Sequence, residues 1–501
     1  MKKILNIVFA LVIAFSAVSC KDYFDINYDP KIPATENITN SMILPGVDAA
    51  LATSYGDFLR ITGGYFSEQY AHLFGTSNYL DYSQFTMSST RSSTHYTQLF
   101  QKVLVNANTI MERAIETGNG ADYIAAAAIT AFAYQILVDC YGEVPFTEAF
   151  DSSIMAPAYD DGSVVYAGII EILDDALGQA SEGQQVATNL LYPKGTSTDW
   201  IKFANSVKLK ILSREADAAN VQAALDALIA EDNFITNDAE YAGCWSNAEG
   251  QASPYYSEEF APWHSQSNVV ANAALIASMQ FAGYTDPRLG VWFETNSDGN
   301  YVGGVSGTNF AAGASAPYNS AAGLCRPKVD YDTPVSVISV AEVEFFKAEY
   351  YARKGSSSLA EEHYNAAIKA SFESAGLTEA DAKANIAQYP YDPNNYKKSI
   401  GVAKWIALAG SNNFESWCEL RRLGYPAFGK VTGSDIWTGS DVDTEALSEL
   451  EPGTLYTPYR VFDEVGAGKL LQRWPYANAS QARNSNCPAF PGYTSPVFWA
   501  K

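Results

Sequence analysis

Residues 62–98, TGGYFSEQYAHLFGTSNYLDYSQFTMSSTRSSTHYTQ, hold eight Phe or Tyr, many Ser and Thr, and only three Asp, Glu or Arg. Flat aromatic faces suit the C–H surface of a sugar, and amide and hydroxyl groups suit its ring oxygens. Asn78, Tyr79 and Tyr82, in the polar GTSNYLDY part, are the first candidates for that chemistry. Tyr65, Phe66 and Tyr70 recur at helical spacing and are expected in the core. A second candidate set lies in later loops: Trp245 in GCWSNAEG, Trp263 and His264 in APWHSQ, Trp292 in VWFETNSDG and Tyr301 in GNYVGG. Each sits beside Gly, Ser, Asn or Pro, and each is open to two readings, a binding platform or packing under its own loop.

Other constellations carry no catalytic or metal chemistry. The four histidines, His72, His95, His264 and His363, form no HExxH or other metal pairing. GNYVGGVSGTNF is glycine-rich but lacks the Lys-Ser/Thr and the flanking strand and helix of a phosphate loop. Asp160/Asp161 and Asp174/Asp175 are sequence neighbours, which does not set two acids across a glycosidic bond. ETNSDGN has the residue types to hold calcium but lacks the complete calcium-loop spacing, and a solvated turn is its first reading. Arg421 and Arg422, near a helix C-terminus, read as structural partners of Glu415 or Glu419, and Tyr476 and Asn484 as parts of a closing segment. No metal and no cofactor is expected.

The elements that must position these residues belong to a chain of 501 residues, 47 % apolar and 13 % aromatic, which excludes disorder. A formal net charge of −24 and the lack of a basic cluster argue against nucleic acid as a partner. Lys2 and Lys3 followed by the uncharged run Ile4–Val18 read as an export signal ending near Cys20. AFSAVSC resembles, loosely, a bacterial lipoprotein box, in which Cys20 would carry the lipid anchor; a plain secreted chain is the other reading. No second apolar run is expected to span a membrane. The remaining cysteines, Cys140, Cys244, Cys325, Cys418 and Cys487, stand at least 69 residues apart. That spacing excludes a CxxC motif and leaves free thiols with room for one disulfide.

ADYIAAAAITAFAYQILVDCYGEVPF reads as an amphipathic helix with a stripe of Tyr123, Ala127, Ala131, Tyr134, Val138 and Tyr141, stopped at Gly142. VAEVEFFKAEYYARKGSSSLAEEHYNAAIKASFESAG reads as a helix, a KGSSS turn and a second helix opened by a Ser358/Glu361 capping box, which is tetratricopeptide-like. Further helices are expected at 199–217, 221–232, 268–283 and 404–424, the last ended by Gly424 and Pro426. Residues 241–330 hold ten of the 35 glycines and read as long loops.

DINYDP, AFAYQILVDCYGEVPFTEA, DWIKFANSVKLKILSR, AEVEFFKAEYYARKG, FESWCELRRLGYPAF and RWPYANASQARN occur in this order along the chain. Together they resemble the SusD/RagB family of surface lipoproteins, most of all the subgroup opening with DIN-x-DP. The resemblance implies a mainly α fold, tetratricopeptide-like helix pairs carrying long irregular loops, with neither catalysis nor cofactor. It implies a signal at 1–19, a lipid-anchored strap at 20–40 and one nutrient-binding domain at 41–501. It further implies a protein tethered to the outer membrane through Cys20 and exposed on the cell surface. Such a protein binds an oligosaccharide and hands it to a SusC-like TonB-dependent transporter. A peptide-binding member of the family, a surface glycoside hydrolase and a purely structural repeat protein are the alternatives.

Overall fold

The alanine-rich segment forms a helix, Gly120–Tyr141, in the computed structural model, which describes residues 37–73, 78–261, 267–308 and 314–500. The Asn119 side chain accepts from the Asp122 N–H at its start, and Gly142, at φ +84°, ends it. The expected amphipathic stripe is not what the fold uses, because every residue from Ala121 to Tyr141 is buried. By length and composition this helix could cross a membrane, contrary to the expectation of no second such run. Its apolarity is explained by protein packed on all sides.

Pairs of consecutive helices pack on one another. They are Val105–Thr117 with Gly120–Tyr141, Gly162–Gln179 with Ser197–Glu215, Val340–Arg353 with Ser357–Ser374, and Tyr396–Leu408 with Asn413–Leu423. The expected hairpin at 340–374 is present, but its capping box lies elsewhere. Ser339 and Glu342 bond reciprocally at the start of the first helix, while the second begins at Ser357 and holds Ser358 inside it. The helix expected at 268–283 is shortened to Ala273–Met279 between the strands Val269–Ala271 and Gln280–Phe281. The segment 404–424 breaks at Gly410, where a Cβ would meet the Trp292 ring at 2.4 Å.

Strands among the described residues are short and paired in twos. Tyr70–His72 runs antiparallel to Val269–Ala271, Ala239–Tyr241 to Val335–Ile338, and Gln280–Phe281 to Tyr284–Thr285, while Ala427–Thr432 runs parallel to Thr454–Thr457. The protein is therefore mainly α, with loops pinned by small two-stranded ladders. Tyr65, Phe66 and Tyr70 are core residues. The five cysteines among the described residues are free, Cys140, Cys325 and Cys418 buried and Cys244 and Cys487 half-buried.

A seam of buried charge ties the helices together. Arg214 pairs with Asp139 and Glu415, Lys210 with Glu342 at 3.1 Å and Glu415 at 3.0 Å, and Lys404 with Glu419 at 3.0 Å. Arg422 reaches Glu349 at 2.5 Å and Glu419 at 2.7 Å. Burial alone would raise the Glu419 carboxyl, but Arg422 and Lys404 hold it well below its ordinary value. Arg421, against the expected pairing, donates to the backbone carbonyls of Asp139 and Gln472. These arginines are structural.

Candidate functional site

Two long helices each contain a turn of π-helix. Asn40–Thr53 continues through the π-helical Ser54–Leu59 into Arg60–Phe66, and Ser89–Thr97 through Gln98–Leu104 into Val105–Thr117. Such a turn inserts an extra residue, shifts the side-chain register and is frequent at functional sites. Here the two helices carry Thr53, Ser54, Asp57, Phe58 and Ile61 on one side and Arg91, Thr94, His95 and Gln98 on the other. The second set has the i, i+3, i+4, i+7 spacing of a single helix face. Between them lies a cavity of about 300 Å³, closed by Tyr79, Tyr82 and Glu258.

Aromatic rings form its wall. Tyr79 and Tyr82 stack with centroids 5.6 Å apart and planes at 11°, and Tyr65 backs both at 6.0 and 6.1 Å. Phe58 stacks on His95 at 5.7 Å and meets Tyr82 edge-on. Tyr79 takes up a left-handed backbone conformation, φ +63°, at the entry of the Leu80–Ser83 helical turn. Its hydroxyl donates to Glu258 Oε1 at 3.2 Å.

The polar groups differ in how far the protein satisfies them. Arg91 donates to the Tyr82 hydroxyl at 2.9 Å, lies over the Tyr82 ring at 4.9 Å and approaches Asp81 at 3.5 Å. His95 Nδ1 shares a 2.6 Å hydrogen bond with the Ser54 hydroxyl, while Nε2 is buried without a partner. Burial lowers the His95 imidazole to about 3, so the ring is neutral. Asp57 is half-buried, and among the described residues its carboxyl has neither hydrogen bond nor ion pair. Burial, reinforced by Glu258 and Glu259, pushes that carboxyl well above its ordinary value. Glu259, buried next to Glu258, accepts from the Asn268 N–H at 2.8 Å.

Of the residues singled out from sequence, the structure brings Tyr79 and Tyr82 together in this cavity. Asn78 is half-buried immediately before Tyr79. Tyr79 is 8 % and Tyr82 1 % exposed, so they present a wall rather than an open platform. Tyr301 lines a different, largely apolar cavity of about 620 Å³ with Phe281, Tyr318 and Leu450. Trp292 packs against Gly410 beneath the Arg288 guanidinium, and Trp245 donates its indole N–H to the Tyr241 carbonyl at 2.9 Å. Trp263 and His264 lie outside the described residues. Sequence reasoning did not single out Asp57, Phe58, Arg91 or Glu258. For Arg91 the one signal was the polar stripe Arg91, Thr94, His95, Gln98 at the spacing of a single helix face; Asp57, Phe58 and Glu258 had none.

Among the described residues no group of three or more His, Cys, Asp or Glu is placed to hold a metal ion. The family model described as SusD-like, "Starch-binding associating with outer membrane", matches residues 36–438, four-fifths of the chain. The chain belongs to the SusD/RagB family. Solved SusD-type structures share its fold. A SusD homologue from Bacteroides uniformis superposes with TM-score 0.70 at 20 % identity, covering 91 % of this chain and 99 % of that one. A chitin-binding SusD homologue from Flavobacterium johnsoniae superposes with TM-score 0.69 at 17 % identity, covering 90 % and 98 %. A SusD/RagB protein from Bacteroides thetaiotaomicron gives TM-score 0.69 at 20 %, covering 92 % and 99 %. No curated protein matches the sequence. At these identities the likeness among SusD-type proteins establishes the fold, and the association of the family with the outer membrane comes from the family model itself.

Proposed function

We propose that this SusD-like protein captures an oligosaccharide in the cavity between its two π-helical turns and passes it to a SusC-like TonB-dependent transporter. The observation that carries this reading is the cavity itself: aromatic walls from Tyr79, Tyr82 and Phe58, with hydroxyl, amide and carboxyl groups from Thr94, Gln98, Asp57 and Glu258 at its edge. Its volume is that of a small-ligand pocket. In this reading residues 1–19 direct export, Cys20 is acylated, residues 20–40 are the strap and 41–501 the binding body at the cell surface. Calorimetry of the purified protein against a glycan panel tests it: saturable binding that weakens in Tyr79→Ala supports the site, and binding unchanged by that substitution removes the cavity from recognition. Loss of fatty-acid labelling in Cys20→Ala checks the anchor.

A further inference from the structure

A neutral sugar leaves part of this cavity unexplained. Two carboxyl groups, Asp57 and Glu258, line it, and Glu259 adds a third carboxyl beside them. The cation that lines it, Arg91, is already held by Tyr82 and Asp81. Asp57 has no partner among the described residues, and Glu258 accepts only the Tyr79 hydroxyl there. His95 is 2 % exposed, lines the same cavity and keeps an unpartnered Nε2. A half-buried carboxyl without a cation is costly for the free protein and favourable once a cation arrives.

Resting on the glycan-capture reading above, we propose that the cavity selects an amino sugar whose ring amine is free and protonated. The amine sits against Asp57 and Glu258, and the ring lies along the Tyr79 and Phe58 side. A charge-assisted hydrogen bond is about twice as strong as a neutral one, which supports a preference of about tenfold. A lysine-bearing peptide has the same charge, but the cavity walls come from helical segments, Ser54–Leu59, Leu80–Ser83, Ser89–Thr97 and Pro254–Glu259, and present no strand edge for a peptide backbone.

The test is calorimetry of the full chain in detergent at about pH 6, below the usual amine range. The probes are a fully deacetylated glucosamine tetramer, its N-acetylated counterpart, a neutral glucose tetramer and a lysine tetrapeptide. The expected result is that the deacetylated tetramer binds about tenfold tighter than the acetylated one. In Asp57→Asn, and separately in Glu258→Gln at the exposed rim, the ratio of deacetylated to acetylated affinity shrinks to about threefold or less, a ratio in which any loss common to both tetramers cancels. Neutral glycans binding equally well, with affinity lost in Tyr79→Ala, would overturn the amine preference and leave the capture site standing. Preference for the peptide, or no binding of any sugar, would overturn both.

Discussion

In the seam between the Ser197–Glu215 and Asn413–Leu423 helices, Glu415 and Glu419 each face more than one cation, while in the cavity beside the π-helical turns Asp57 faces none among the described residues. Both sites remove carboxyl groups from water. In the seam the protein itself returns the lost solvation through Arg214, Lys210, Lys404 and Arg422, so those charges belong to the fold. In the cavity the compensation is left open, so that carboxyl is available to a cation that arrives. The seam carboxyls are fully buried and Asp57 is half-buried; what separates their roles is whether a partner helix supplies the opposite sign.

The comparison breaks most visibly by truncating the seam. Glu419→Ala leaves Lys404 and Arg422 short of a counter-ion in a buried site and is expected to cost about 3–5 kcal/mol in urea unfolding. A loss below about 1 kcal/mol would mean that the seam is solvated rather than structural. Next in size is the acid response of the cavity wall. The His95 imidazole is lower in the folded chain, about 3, than when unfolded, so the unfolded state binds the extra proton first. Its stabilising share is therefore whole above the ordinary imidazole value of about 6.5 and falls away as the pH drops toward about 3, by a few kcal/mol. Urea midpoints measured across that window should slope less in His95→Gln than in the parent chain; parallel slopes would show that the ring is already hydrated.

A smaller effect separates the two cavities. Tyr79→Ala should weaken glycan binding by about 1 kcal/mol, near fivefold, whereas Tyr301→Ala should leave it unchanged. The reverse pattern in titrations would move recognition to the 620 Å³ cavity. Least of all, Asp57→Asn should alter unfolding stability by under about 1 kcal/mol, and in the stabilising direction, because it removes a carboxyl whose ionised form burial disfavours. A large destabilisation there would reveal a partner for Asp57 and close the contrast with Glu419.

Much of the frame was legible before the structure. The helix stops at Gly142 and Gly424 follow from glycine's freedom at positive φ, +84° and +75° here. The hairpin at 340–374 follows from its apolar spacing and KGSSS turn. The cap of its second helix was misplaced because Ser358/Glu361 matches the capping pattern inside a helix as well as at its start. Amphipathicity was wrongly read into residues 121–141, since a helix buried on every side still contains aromatic residues at helical spacing. Tyr79 and Tyr82 were visible as candidates by composition, yet their burial was not.

Local chemistry, carried by neighbouring residues, was enough for the sequence alone to determine the helical class, the helix punctuation, the family and the aromatic, hydroxyl-rich segment that borders the cavity. Tertiary structure decided which charges are matched: Asp139, Arg214, Glu349 and Glu419 meet only after helices far apart in the chain pack together. It likewise decided that Asp57, His95 and Glu258 share one cavity, because π-helical register and helix docking are set by the sum of distant contacts rather than by any local pattern.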